Sequence, residues 1–318
     1  MTKKIFILLI NLVLSNLIVL SIYANVVVSI KPIGFIAAAI IGNIMPIDVI
    51  VPDGASEHSY MLRPSDEKKL KDTNLLIWNG AEIEPFMAKS VNNIPNNKII
   101  VIPQIQGIKR FFIQIKKDNY NYNIINKCNK DINTNLSNKQ YNMHFWTSPD
   151  IAKTIAIAIH EKLLKLMPEN KIILNNNLEK FKKSLDNIDN QIMKQLRPIK
   201  DKGYFVFHDA YVYFEKHYGL APLGYFTINP DIQPGVKHLY EIKKKLKEKK
   251  VVCVFSEPQF KPAVIDSITK DVKINKGVLD PLGSDIRLSK DSYLKFLLQL
   301  SNQYKNCLLK DSDRNKKQ

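Results

Sequence analysis

PENKIILNNNLEKFKKSLDNIDNQIMKQLR, residues 168–197, runs between prolines, with Pro168 at its start and Pro198 directly after it. Leu174, Leu178, Phe181, Leu185, Ile188, Ile192 and Leu196 recur in it at steps of three and four, which puts one apolar stripe on a helix. At about 1.5 Å per residue such a helix reaches roughly 40 Å, more than one small lobe needs. The segments on either side decide what it is for.

Before it, strand-like and helix-like segments alternate. NVVVSI (residues 25–30), residues 47–51, LLIW (75–78) and residues 98–102 read as strands, with helical runs over 33–42 and 65–72 between them. A capped helix opens at Ser148-Pro149-Asp150, where the serine can accept from the first turn, proline suits the first position and the acid favours the positive end. After the long helix the alternation returns, in GYFVFHD (203–209), residues 223–228, VVCVFSEP (251–258) and residues 273–280, with helices over 210–218, 235–249 and 290–308. The expectation is an α/β fold of two lobes, each a mainly parallel sheet flanked by helices. The first lobe spans 25–167, one rigid linking helix spans 168–198, and the second lobe spans 199–318.

Two segments stand outside this plan. Residues 1–24 carry Lys3 and Lys4, an apolar middle from Ile5 to Leu20, and Ala24 at a small-residue cleavage point, the form of a secretory signal peptide. A membrane anchor is the alternative, but Asn11, Ser15 and Asn16 interrupt the apolar run. Residues 113–142 are rich in Asn and Lys without apolar period, and a mobile surface loop is expected there.

The net charge of +17 directs attention to nucleic acid. The lysines are scattered, however, the chain reads as exported, and no module joins aromatic to basic residues, so no nucleic-acid partner is expected. Of three cysteines, Cys253 lies in an apolar strand, Cys307 near the end of the last helix, and Cys128 in the polar loop. In an oxidising compartment the first two are expected to pair, leaving Cys128 free.

The chemistry lies with the histidines. His58 sits in the loop VPDGASEHSYMLRPSD after the second strand, His208 directly follows YFVF, and His144 precedes the capped helix. Asp280 ends another strand. Ligands of open α/β sheets collect beyond the carboxyl ends of strands. Together these residues point to a metal in the cleft between the lobes. Three imidazoles and one oxygen suit tetrahedral Zn(II), whereas Mn(II) and Mg(II) prefer more oxygen. Glu57 is placed to supply the oxygen directly or to hold a water, with Asp280 as an alternative or an outer acceptor. His160, inside an apolar helix, reads as a packing residue.

These residues belong to longer motifs. SIKPIGFIAAAI, VPDGASEHSYMLRPSD, NMHFWTSPDIA, GYFVFHDAYVYFEKHYGL, LGYFTINPDIQPG, CVFSEPQF and LDPLG resemble the periplasmic zinc-binding proteins of bacterial high-affinity zinc ABC importers, the ZnuA family. The resemblance covers nearly the whole chain after residue 24. It implies two α/β lobes on one long helix, no enzymatic activity, and location in the periplasm. It also implies delivery of Zn(II) to an inner-membrane ABC permease with its cytoplasmic ATPase, and the protein is expected to be a monomer. By the same resemblance His58, His144 and His208 are the zinc ligands, Glu57 completes the shell directly or through water, Asp280 is a nearby carboxylate, and Cys253 pairs with Cys307. Two features depart from the family pattern. The 113–142 loop has no histidine, and Tyr225 stands where many relatives have one, so a second zinc site is not expected. The competing readings are the same fold with Mn(II) or Fe(II), and a zinc hydrolase using Glu57 as base on bound water. The sequence contains no HExxH signature for the latter.

Overall fold

The computed structural model describes residues 25–115, 140–227, 229–248, 251–261 and 263–310. The signal-like residues 1–24, most of the 113–142 loop and Cys128 lie outside the described residues.

Two four-stranded sheets carry the fold, and every pairing in both is parallel. In the first, β1 (Val26–Val28), β2 (Ile47–Val49), β3 (Leu75–Trp78) and β4 (Ile99–Val101) lie in the order β2-β1-β3-β4. In the second, β5 (Gly203–His208), β6 (Gly224–Thr227), β7 (Val251–Ser256) and β8 (Asn275–Val278) lie in the order β6-β5-β7-β8. The two sheets thus share one topology, in which the first strand of each has neighbours on both sides. Parallel strands covered on both faces need apolar side chains at every position. VVV of β1 and LLIW of β3 meet that need, and all seven residues are buried.

Helices α1 (Lys31–Ile41), α2 (Pro64–Asp72) and α3 (Ala88–Val91) belong to the first sheet. α4 (Pro149–Leu166) and α5 (Lys171–Leu196) follow, then α6 (Val212–Tyr218), α7 (Val236–Lys247), α8 (Ala263–Thr269) and α9 (Ser292–Leu308). The expected cap at the start of α4 is present, with Ser148 accepting from the Ile151 amide at 3.3 Å.

The linking helix is α5, with a short 3-10 turn at each end where Pro168 and Pro198 stand. A proline lacks an amide proton and starts rather than continues a helix, so both ends tighten there. Its stripe is buried at Leu174, Leu178, Phe181, Leu185, Ile192 and Leu196, while Ile188 lies half-buried at the edge. The stripe packs on α1, α4 and α9. Asn177, also buried, donates to the Ile40 carbonyl at 2.9 Å and so satisfies an acceptor at the end of α1. One apolar cluster runs from Val26 through Ile33, Leu185 and Tyr204 to Phe296, so a single core spans both sheets.

Cys253 in β7 and Cys307 in α9 form a disulfide with their Cα atoms 6.0 Å apart, as expected from the sequence. Where the 113–142 segment is described, Gln114 and Tyr141 form an antiparallel bridge, and Ile115 donates to Gln140 at 2.9 Å. Among the described residues no helix is long and apolar enough to cross a membrane.

Candidate metal centre

Beyond β2 the chain is held to the sheet by Ile50 donating to Val28 and Val51 to Ser29. It then turns through Gly54, whose φ of +81° lies in the left-handed region that glycine adopts freely. Just beyond this turn stand Glu57 and His58, which gather with His208. His208 is the last residue of β5 and comes from the corresponding end of the second sheet. His144 lies on the segment entering α4. That segment is tied across to the second half by Trp146 Nε1 donating to Pro281 O at 2.7 Å, and by Tyr293 Oη donating to Trp146 O at 2.9 Å.

Glu57, His58, His144 and His208 converge, each offering one ligand atom, with all four atoms within 4.8 Å of one another. His144 Nε2 lies 3.3 Å from His58 Nε2 and 3.3 Å from His208 Nε2. A tetrahedral zinc ion with nitrogens at about 2.0–2.1 Å separates its ligands by about 3.3–3.4 Å. Glu57 Oε1 stands 3.8 Å from His58 Nε2 and 3.9 Å from His144 Nε2. That same oxygen is buried and has no hydrogen-bond partner. A buried, unpaired carboxylate oxygen costs folding energy unless something cationic meets it. The chemistry of the donor set therefore fits a borderline-soft divalent ion.

The rings are oriented by groups behind them. Asn142 Oδ1 accepts from the His144 backbone amide at 3.0 Å and lies 3.0 Å from its Nδ1, leaving Nε2 to face the cluster. Glu257, just past β7, meets His208 Nδ1 at 2.8 Å through Oε1, with Oε2 at 2.7 Å beside it. Such partners fix the tautomer and raise the basicity of a metal-binding imidazole.

Electrostatics divide the group. Burial, reinforced by the charge of His208, pushes His58 down to about 3 and His144 well below the ordinary histidine value. Burial also acts to lower His208, but the charge and hydrogen bond of Glu257 outweigh it and hold that imidazole above its ordinary value. Glu57 is raised to about 7 by burial, against the opposing charge of His208.

Asp280 is not part of this group. Its carboxylate accepts from the amides of Leu282 at 3.0 Å and Ser284 at 2.6 Å, and from Gln259 Nε2 at 3.0 Å. The carboxylate is thus held by its own turn and by Gln259, outside the four-residue group. A short acidic side chain before a tight turn is satisfied by the turn's own amides. Glu257 and Asn142 are not among the site residues that the sequence points to. Glu257 had a signal, because it lies beyond the end of the strand next to β5, where the strand-end rule also applies. The remaining histidines are engaged elsewhere: His160 with Asn175, His217 with Asp189 and Asp150, and His238 with the Tyr225 carbonyl.

Two parallel α/β sheets joined by one helix, with a nitrogen-rich donor set gathered from both, define the class of two-lobed metal-binding transport proteins. The family model of zinc-uptake complex component A, periplasmic (ZnuA), matches residues 26–307, and the chain belongs to that family. It is 49% identical over 292 residues to the high-affinity zinc uptake system protein ZnuA of Yersinia pestis, covering 90% of this chain and 91% of that protein. To the protein of the same name from Buchnera aphidicola subsp. Schizaphis graminum it is 43% identical over 294 residues, covering 91% and 90%. A crystal structure of ZnuA superposes with a TM-score of 0.74 at 22% identity, covering 90% of this chain and 99% of that one. The family is a component of an uptake complex, not an enzyme.

Proposed function

We propose that this chain captures one Zn(II) ion in the periplasm and delivers it to an inner-membrane ABC permease, whose cytoplasmic ATPase drives uptake. The ion is cargo. The Nε2 atoms of His58, His144 and His208 hold it, and Glu57 Oε1 contacts it directly. The observation that carries this reading is the pair of 3.3 Å spacings between imidazole Nε2 atoms, the edge of a zinc tetrahedron. The Glu57 edges are longer by only about half an ångström, a shift far smaller than an interposed water requires. Export rests on the signal-like residues 1–24, and the lobes are read as 25–167 and 199–318 on the 168–198 helix. The protein works as a monomer, because each chain supplies the whole donor set.

Calorimetric titration of the metal-stripped protein tests this. One tight zinc site per chain is expected in the parent, with large losses of affinity in His58→Ala, His144→Ala and His208→Ala. Absence of zinc binding in the parent overturns the reading. Mn(II) displacing equimolar Zn(II) overturns the choice of metal.

A further inference from the structure

Among the described residues, an exposed side-chain hydrogen bond joins the two halves of the fold beside the metal centre. Ser59 Oγ, one residue after His58, donates to Asp231 Oδ1 at 2.9 Å. Ser59 belongs to the loop after β2 in the first sheet, and Asp231 to the segment joining β6 to α7 in the second. The two residues are 172 positions apart in the chain.

The segment carrying Asp231 is built to present it. Thr227 Oγ1 donates to the carbonyls of Asn229 at 2.6 Å and Ile232 at 3.2 Å. Asn229 Oδ1 accepts from the Asp231 amide at 2.9 Å, and Ile232 donates to Asn229 O at 3.0 Å. Pro230 and Pro234 further restrict the backbone. The carboxylate is therefore offered by a preset turn.

A second clasp joins the halves elsewhere. Lys31 Nζ, at the start of α1, binds both oxygens of Asp53 and the carbonyl of Ser284. Its side chain is largely buried, whereas Ser59 and Asp231 are exposed. Of the two, the Ser59–Asp231 bond is the one that water can replace at little cost.

We propose that the Ser59–Asp231 hydrogen bond is a latch across the cleft mouth that sets how fast a bound divalent cation leaves. Ser59 follows a ligand-bearing residue directly, so a loop pinned to Asp231 keeps His58 and Glu57 over the ion. When the latch opens, the loop swings and the donor set loosens from the side facing solvent. Both are positioning residues, because neither needs to touch the metal. The inference rests on the zinc-capture reading.

The test is stopped-flow release of Zn(II) from the loaded protein to excess chelator, with association measured separately. Ser59→Ala and Asp231→Ala are expected to release zinc about three- to tenfold faster, the range for losing one modest hydrogen bond. The double variant should be no faster than the faster single, and Ser59→Thr, which keeps the hydroxyl, should return toward the parent rate. Stoichiometry stays at one zinc throughout. Release from Ser59→Ala at the parent rate overturns the latch, as does a double variant whose effect is the product of the singles. Slower, salt-sensitive association in Asp231→Ala without faster release also overturns it, and assigns Asp231 to steering. A parent protein that holds no zinc defeats the capture reading instead, a separate outcome.

Discussion

His208 Nδ1 and the Glu257 carboxylate face each other at 2.7–2.8 Å, both buried, one at the end of β5 and the other just past the adjacent β7. The contact aligns the ring and makes Nε2 a better donor, but it also stabilises the proton that competes with a metal. Glu257→Gln should weaken zinc binding about 10–100-fold at neutral pH, the usual cost of losing such a partner. Without the carboxylate the His208 value falls, so acid competes less in the variant than in the parent. The affinity gap should therefore narrow as pH is lowered from about 8 to about 5.5, as read by competitive chelator titration. A gap constant across that range would contradict the assignment of the competing proton to His208.

Glu57 carries a stability penalty in the metal-free protein. Its value rises from 4.5 to about 7 on folding, chiefly through burial, and Oε1 has no partner. A raised carboxyl means that the folded state binds more protons than the unfolded one between those two values. Stability therefore falls as pH rises through that window, and the penalty is complete above about 7. Glu57→Gln should stabilise the metal-free protein by about 1–3 kcal/mol at pH near 8 and change little at pH near 4. The same substitution should weaken zinc binding. Urea unfolding of stripped protein at the two pH values checks the first part. Equal effects at both would show that the carboxylate is not buried in its charged form.

Much of this was legible in the chain, and the boundary of legibility has a physical cause. The 168–197 stripe and the runs VVV and LLIW declare themselves because period and apolarity are local properties. His208 was legible as a strand-end residue for the same reason. α8 is not legible in the sequence because seven residues give too little period to read. The pairing of His208 with Glu257 joins positions 49 apart, and that of His58 with His144 joins positions 86 apart. Such contacts are set by which strands lie side by side. Strand-end position alone does not say what the Asp280 carboxylate binds. A carboxylate there has a competing use in its own turn, and the amides of Leu282 and Ser284 won.

A second histidine system tunes stability. His217 on α6 meets Asp189 on α5 through Nε2 at 2.8 Å and Asp150 on α4 through Nδ1 at 3.3 Å. Two carboxylates on two ring nitrogens favour the imidazolium, and they raise His217 even though burial opposes the shift. Asp189 is lowered, as burial is outweighed by the hydrogen bond and charge of His217, with Tyr218 and Lys153 also facing it. A raised histidine contributes stability that is full below its ordinary value and lost as pH rises through the folded one. A lowered acid contributes above its ordinary value and loses its contribution as pH falls through the folded one. His217→Gln should cost about 1 kcal/mol at pH near 5.5 and almost nothing at pH near 9, because these groups are partly solvated. Denaturant midpoints at the two pH values measure it, and an undiminished cost at high pH would assign His217 a packing role instead.

The disulfide should separate folding from function. Cys253 and Cys307 close a span of 54 residues, for which chain entropy gives about 4 kcal/mol of stabilisation. Cys253 lies early in β7, whereas Glu257 lies just past its other end, beside His208. The bridge therefore pins α9 to the sheet away from the donor atoms. The Cys253→Ser/Cys307→Ser double variant should lose about 4 kcal/mol in chemical denaturation, and less if the unfolded chain keeps residual structure. Zinc affinity at low temperature, where the variant stays folded, should remain within about threefold of the parent, the scatter expected of a substitution remote from the ligands. A larger loss of affinity in folded protein would mean that the bridge holds β7, and Glu257 with it, in the position on which His208 depends.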